Sequence, residues 1–159
     1  EMLSNIAGAR LVQRNFEWLG PMQFDPGEMD FARELQKATG KEPLGMNTTV
    51  EAFDDNPGEP EGGSTDVADV SWNVPTLHLL VATAPIATPW HAWPVVAAGG
   101  MSIGHKGMLY AAKSLAATMV DLYSDADARA AIQAEWLEDK GGRVYKPFLA
   151  DGPPPMPGQ

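Results

Sequence analysis

Leu3, Ile6, Ala7, Leu11, Asn15, Trp18 and Leu19 recur near one face at the helical period, and Gly20-Pro21 stops the pattern. The spacing predicts a first helix over residues 3–19. A second helix has a well-specified start. Asp25 can cap, Pro26 suits the first helical position, and Glu28 completes a capping box that Phe24 and Met29 can staple. Met29, Ala32 and Leu35 supply its buried stripe, and Gly40 ends it. Residues 41–63 are polar and irregular. Glu51, Asp54, Asp55, Glu59 and Glu61, interleaved with Pro57, Gly58 and Pro60, read as a solvated acidic loop. After Gly62-Gly63, Ser64 or Thr65 can cap a short helix over 65–71, with Asp66 at its positive end.

Residues 76–83, rich in Leu and Val between Pro75 and Pro85, read as a buried strand. Leu77, Leu79 and Val81 fall on one side; His78, Leu80 and Ala82 fall on the other, with His78 as a core histidine. Residues 84–101 form a Pro/Gly-rich loop carrying Trp90-His91-Ala92-Trp93. A long helix is expected over 103–123, with Ser102 as cap and Met108, Ala112, Leu115, Met119 and Leu122 as its buried stripe. Ala111, Ala112, Ala116 and Ala117 would let it pack closely on a sheet. Asp125 caps a last helix to about 139, closed by Gly141-Gly142, and the four prolines of residues 151–159 make an extended, mobile tail. One strand alone leaves its main-chain donors and acceptors without neighbours. Further strands are therefore expected in 43–53 and 92–98, or the sheet partners lie outside the chain.

A length of 159 residues suits one domain, and 44% hydrophobic residues suffice for a core. Eleven Lys and Arg against 21 Asp and Glu give a net charge of −10, which argues against nucleic acid and against an anionic membrane surface. Sixteen glycines and 14 prolines make the chain loop-rich. With no cysteine, disulfides, thiolate zinc sites and cysteine nucleophiles are excluded, and a cytoplasmic location is expected. No apolar run approaches the roughly 20 residues of a membrane span. The opening Glu1-Met2-Leu3-Ser4-Asn5 lacks the features of a signal peptide and enters a helical pattern at once, as a piece of a longer chain would.

No phosphate loop, zincin helix or serine elbow is present. His78, His91 and His105 are too widely spaced for a local metal site. His91 follows the expected strand in a Pro-punctuated loop, where α/β folds place functional residues. Its imidazole suits zinc or manganese-like ions, and Trp90 or Trp93 can pack the ring into place. The plainer alternative is a loop histidine with no special task. Asp66 and Asp69 share a helical face and could support a metal, or serve as capping and dipole residues. His105 and Lys106 in a first helical turn ask for an anion or a carboxylate nearby, unless both are simply solvated.

The run Gly62-Gly63-Ser64-Thr65-Asp66-Val67-Ala68-Asp69-Val70-Ser71-Trp72, then Pro89-Trp90-His91-Ala92-Trp93, then His105-Lys106-Gly107-Met108 with Ala111-Ala112-Lys113, resembles the C-terminal part of the aminobenzoyl-glutamate utilization protein B group. Phe31-Ala32-Arg33-Glu34-Leu35-Gln36 is similar to the same group. These are di-metal amidohydrolases of the aminoacylase and carboxypeptidase G type. The resemblance implies an α/β fold, the C-terminal half of a zinc-exopeptidase-like catalytic domain with helices on a mostly parallel sheet. Residues 1–150 would be that segment, without the lid domain and the N-terminal half. It implies two divalent ions, zinc or manganese, with His91 as a ligand and the other ligands and the general-base glutamate outside these residues. Asp66 and Asp69 would support the metal site, while Ser64, Thr65, His105 and Lys106 would meet the substrate. The implied partners are a small amide substrate of the p-aminobenzoyl-glutamate kind, the missing N-terminal half, and a second copy in a homo-oligomer. A non-catalytic regulatory or dimerisation module derived from that fold is the competing expectation.

Overall fold

The computed structural model describes residues 1–55, 65–147 and 152–153. Six helices follow in order: α1 (Ile6–Leu19), α2 (Pro26–Ala38), α3 (Val67–Ser71), α4 (Trp93–Gly99), α5 (Ser102–Ser124) and α6 (Ala126–Lys140). The described residues contain no strand, so the expected sheet is absent and the architecture is helical. Residues 76–83 and 43–53 are irregular, and no backbone ladder joins them; one bond, from the Ile86 amide to the Gly45 carbonyl, links the two loops. A Leu- and Val-rich run suits a strand, but a strand also needs a neighbour to accept its hydrogen bonds. Residues 92–98, held open as a strand, fall almost wholly on α4, with Pro94 in its first turn, where a missing amide costs nothing.

The helix ends are largely written locally. Asn5 caps α1, its side-chain oxygen accepting from the Gly8 amide at 2.8 Å, so the helix begins three residues later than the periodicity indicated. Glu135 of α6 completes this cap from a distance, its carboxylate accepting from the Ile6 and Ala7 amides at 2.5 and 2.8 Å. At α2 both halves of the capping box form, the Glu28 amide donating to Asp25 at 2.9 Å and the Asp25 amide to Glu28 at 2.7 Å. Asp125 caps α6 and left-handed Gly141 ends it, as expected. Ser102 is the first residue of α5 rather than its cap.

Ala32, Leu35, Met46, Ala98 and Ile103 form the core, with Phe24, Phe31, Ala82 and Ala84 packed around them. Gln36 is buried there, bonding the Ile86 carbonyl at 2.9 Å and accepting from the Gly45 amide at 2.8 Å, which ties both long loops to α2. α1 packs against α5 and α6. At that contact Asn15 is buried, donating to Asp121 at 2.9 Å and to Thr118 at 3.2 Å.

α5 buries a different face from the expected one. Ile103, Gly104, Gly107, Ser114 and Thr118 are inside, whereas Met108, Ala112, Leu115 and Met119 lie exposed, with Leu122 half-buried. At 100° per residue the two sets lie roughly a quarter-turn apart. Close approach decides which set is buried. A Cβ on Gly107 would sit 2.6 Å from the Ala82 carbonyl oxygen, and one on Gly104 2.7 Å from that of Ala98. The exposed apolar stripe has nothing to cover it among the described residues. Residues 56–64, with the end of the acidic loop, lie outside the described residues, as does the tail except for exposed Gly152 and Pro153.

Candidate functional site

His91 lies in the tight turn that joins residues 76–83 to α4. Its backbone is left-handed, φ 59°, and so is that of Ala87, φ 60°. Non-glycine residues avoid this region by roughly 1–2 kcal/mol, so the turn holds both against a local preference. The His91 side chain is exposed between Trp90 and Trp93, which are 71% and 59% exposed. The turn presents a histidine flanked by two indoles outward.

α3 carries the other motif. The Thr65 hydroxyl accepts from the Val67 amide at 3.2 Å, while Asp66 is exposed, adopts helical angles and makes no side-chain cap bond. Capping therefore falls to Thr65, and the Asp66 carboxylate projects into solvent. Asp69 is exposed beside the Tyr145 hydroxyl, and its carboxylate holds that hydroxyl above its ordinary pKa. Ser71 locks the helix in place: its hydroxyl donates to the Ala68 carbonyl at 2.6 Å and accepts from the Leu3 amide at 2.9 Å, and its carbonyl accepts from the Trp136 indole at 2.8 Å. Ser64 lies outside the described residues.

In the first turn of α5, Lys106 donates to the Glu28 carboxylate at 2.5 Å and to the Gln23 carbonyl at 3.1 Å, with its ammonium 5.6 Å from the Phe24 ring centre. The carboxylate that this cation called for is thus in the chain itself. The Lys106 bond, backed by Ser102 and the Asp25 amide, holds the Glu28 carboxyl down at about 2. His105 is exposed. His78, expected in the core, is exposed as well.

No hydrogen bond or ion pair among the described residues joins His91 to Asp66, Asp69, His105 or Lys106. No group of three or more His, Asp or Glu side chains among them is arranged to hold a metal. An ion takes about four donors, and His91 offers one, so these residues do not fit a complete metal centre by themselves.

A cavity of about 180 Å³ has no motif to announce it. Residues 47–51 and 80–82 border it, with Met22 and the stacked rings of Phe16 and Tyr110, 5.7 Å apart, in its walls. Tyr110 donates to the Gly20 carbonyl at 2.7 Å, and burial raises its pKa. The nearest signal in the sequence is the uncharged run 76–83, which the pattern assigns to a sheet interior.

No family model and no solved structure matches the chain. No helix among the described residues is long and apolar enough to cross a membrane. One curated relative matches, a p-aminobenzoyl-glutamate hydrolase subunit of Escherichia coli (strain K12), 50% identical over 62 residues. The resemblance carried by the motifs therefore holds: this chain is similar to a hydrolase subunit over 39% of its own length, and spans 13% of the length of that relative.

Proposed function

We propose that this chain is the C-terminal segment of a metal-dependent amidohydrolase that cleaves an amide of the p-aminobenzoyl-glutamate type, and that it is inactive alone. The observation that carries the reading is the 50% identity over 62 residues to a hydrolase subunit. The uncovered apolar stripe of α5 and exposed Leu80 support it, since a larger molecule would bury such apolar surface. In this reading His91 contributes one donor to a pair of divalent ions whose other ligands lie outside these residues. Bound ions would lower the pKa of a water and polarise the amide carbonyl. The chain's own part is to hold the left-handed turn rigid and to aim the imidazole outward. Thr65 and Asp66 just before α3 and Asp69 on it support the site, with Ser64 and His105 toward the substrate; Lys106 is tied to Glu28 within the chain. A cytoplasmic homo-oligomer belongs to the same proposal.

The test joins this chain to the polypeptide that completes the enzyme and measures metal content and p-aminobenzoyl-glutamate hydrolysis. His91→Ala should lower bound metal and cut kcat/KM at least about 100-fold, in line with the loss of a direct ligand. Unchanged metal and activity in His91→Ala would remove the ligand assignment. A completed protein that neither binds metal nor hydrolyses the amide would leave the dimerisation module as the reading.

A further inference from the structure

The five tryptophans divide by what holds them. Trp72 donates to the Glu1 carbonyl at 3.0 Å and carries the Arg143 guanidinium 4.7 Å from its ring centre. Trp136 donates to the Ser71 carbonyl at 2.8 Å and carries the Lys140 ammonium at 4.4 Å. Both have the indole N–H and a ring face taken. Trp90 and Trp93 are 71% and 59% exposed, and among the described residues neither makes a hydrogen bond or a ring contact. The turn that presents them is held firmly. Pro94 is fully buried at the start of α4, the Thr88 hydroxyl donates to the Pro85 carbonyl at 2.6 Å, and the Ile86 amide donates to the Gly45 carbonyl at 3.0 Å. Indoles on a turn already ordered lose little more freedom when a ligand arrives. Residues 76–104 hold no Asp, Glu, Lys or Arg, so a charged ligand would find no counter-charge in this stretch. What it offers is aromatic and, His91 apart, neutral.

We infer that Trp90 and Trp93 form the subsite for the benzoyl ring of the substrate. This rests on the reading of the chain as part of a p-aminobenzoyl-glutamate hydrolase whose amide is cleaved beside His91. In that amide the ring is bonded directly to the scissile carbonyl carbon. A site that meets the carbonyl at His91 therefore has the ring among the closest neighbours of His91, and those in the chain are the indoles one position before it and two after. An indole receives a second aromatic ring in offset or edge-on contact, and an uncharged ring needs no ion to balance it. Polypeptide from outside these 159 residues is the other occupant to consider; it would bury the indoles and leave no room for the ring.

The test uses this chain joined to the polypeptide that completes the enzyme. Trp90→Leu and Trp93→Leu together should raise KM for p-aminobenzoyl-glutamate about tenfold or more and leave kcat within about twofold, because the ring is held alike before and during the reaction. Phe at both positions keeps an aromatic face and should hold KM within about threefold. Trp18→Leu, at an equally exposed indole on α1, should change neither constant. A fall in kcat with KM unmoved means that the indoles position His91 and overturns the inference, as does a double Leu variant with both constants intact. Saturation-transfer NMR with p-aminobenzamide, the ring with its carboxamide, reads the contact without turnover. Transfer to the ring protons should fall at least about fivefold in the double Leu variant, as for a site whose affinity has dropped. A completed protein that does not hydrolyse the amide removes the hydrolase reading. Transfer that is still lost with the indoles then upholds the ring subsite, whereas transfer that is absent throughout, or unchanged without them, overturns both.

Discussion

Glu28 does two jobs with one carboxylate. It closes the capping box of α2 and receives Lys106 from α5, joining a local signal to a tertiary contact. Its carboxyl titrates at about 2, below the ordinary 4.5. A depressed carboxyl stabilises the fold fully above its unfolded value and loses that contribution as pH falls through the folded one. Glu28→Gln keeps the cap geometry and removes the charge, so it should cost about 1–3 kcal/mol at neutral pH, as for a hydrogen bond to a charged group. Thermal unfolding across pH checks it: the gap between the two proteins should narrow from pH 4.5 down to about 2. A gap that does not change with pH would rule out the pair as its source. The capping half of this residue was legible from the Asp-Pro-Gly-Glu spacing. The Lys106 half was not, because nothing local brings the start of α5 to α2. His91 divides in the same way. Its motif singled it out, while its left-handed backbone appears only once the turn is folded.

At the scale of elements, α5 shows how steric access outranks apolar content. Apart from Ile103, its buried face is made of small residues, Gly104, Gly107, Ser114 and Thr118, and backbones approach it closely at both Gly104 and Gly107. Gly107→Ala places a methyl against the Ala82 carbonyl, which cannot swing away as a side chain can. Overpacking of this kind should destabilise by about 1–3 kcal/mol despite alanine's better helix propensity, read as a fall in the urea midpoint. An unchanged or raised midpoint would show that residues 76–83 do not press on the helix. Every helix but α4 was legible, since caps and 3.6-residue periods are local properties, whereas α4 falls where a loop or a strand was expected. Which face each helix buries was legible for α2, where Ala32 and Leu35 are inside, and not for α5.

At the scale of the whole molecule, much apolar surface faces solvent. Met108, Leu115 and Met119 on α5 and Leu80 on the extended run are each about half exposed or more. Replacing Met108 and Met119 together with Lys should change stability by less than about 0.5 kcal/mol each, as at open surface sites. The same pair should sharply reduce association at high concentration, measured by light scattering. A large loss of stability would mean that the stripe is packed after all. The expected sheet failed at this scale. The Leu- and Val-rich run 76–83 reads as a strand, yet it is irregular, and the described residues supply no strand for it to pair with.

The sequence by itself determined α1, α2, α3, α5 and α6, the caps at Asp25 and Asp125 and the resemblance to a hydrolase subunit, because these rest on residues close together along the chain. Only the tertiary structure decided that α5 turns its methionines outward, that Lys106 is spent on Glu28, and that His91 stands without other metal donors around it among the described residues. Each of these depends on which distant backbone comes close enough to exclude a side chain or offer it a partner, and no local spacing encodes that.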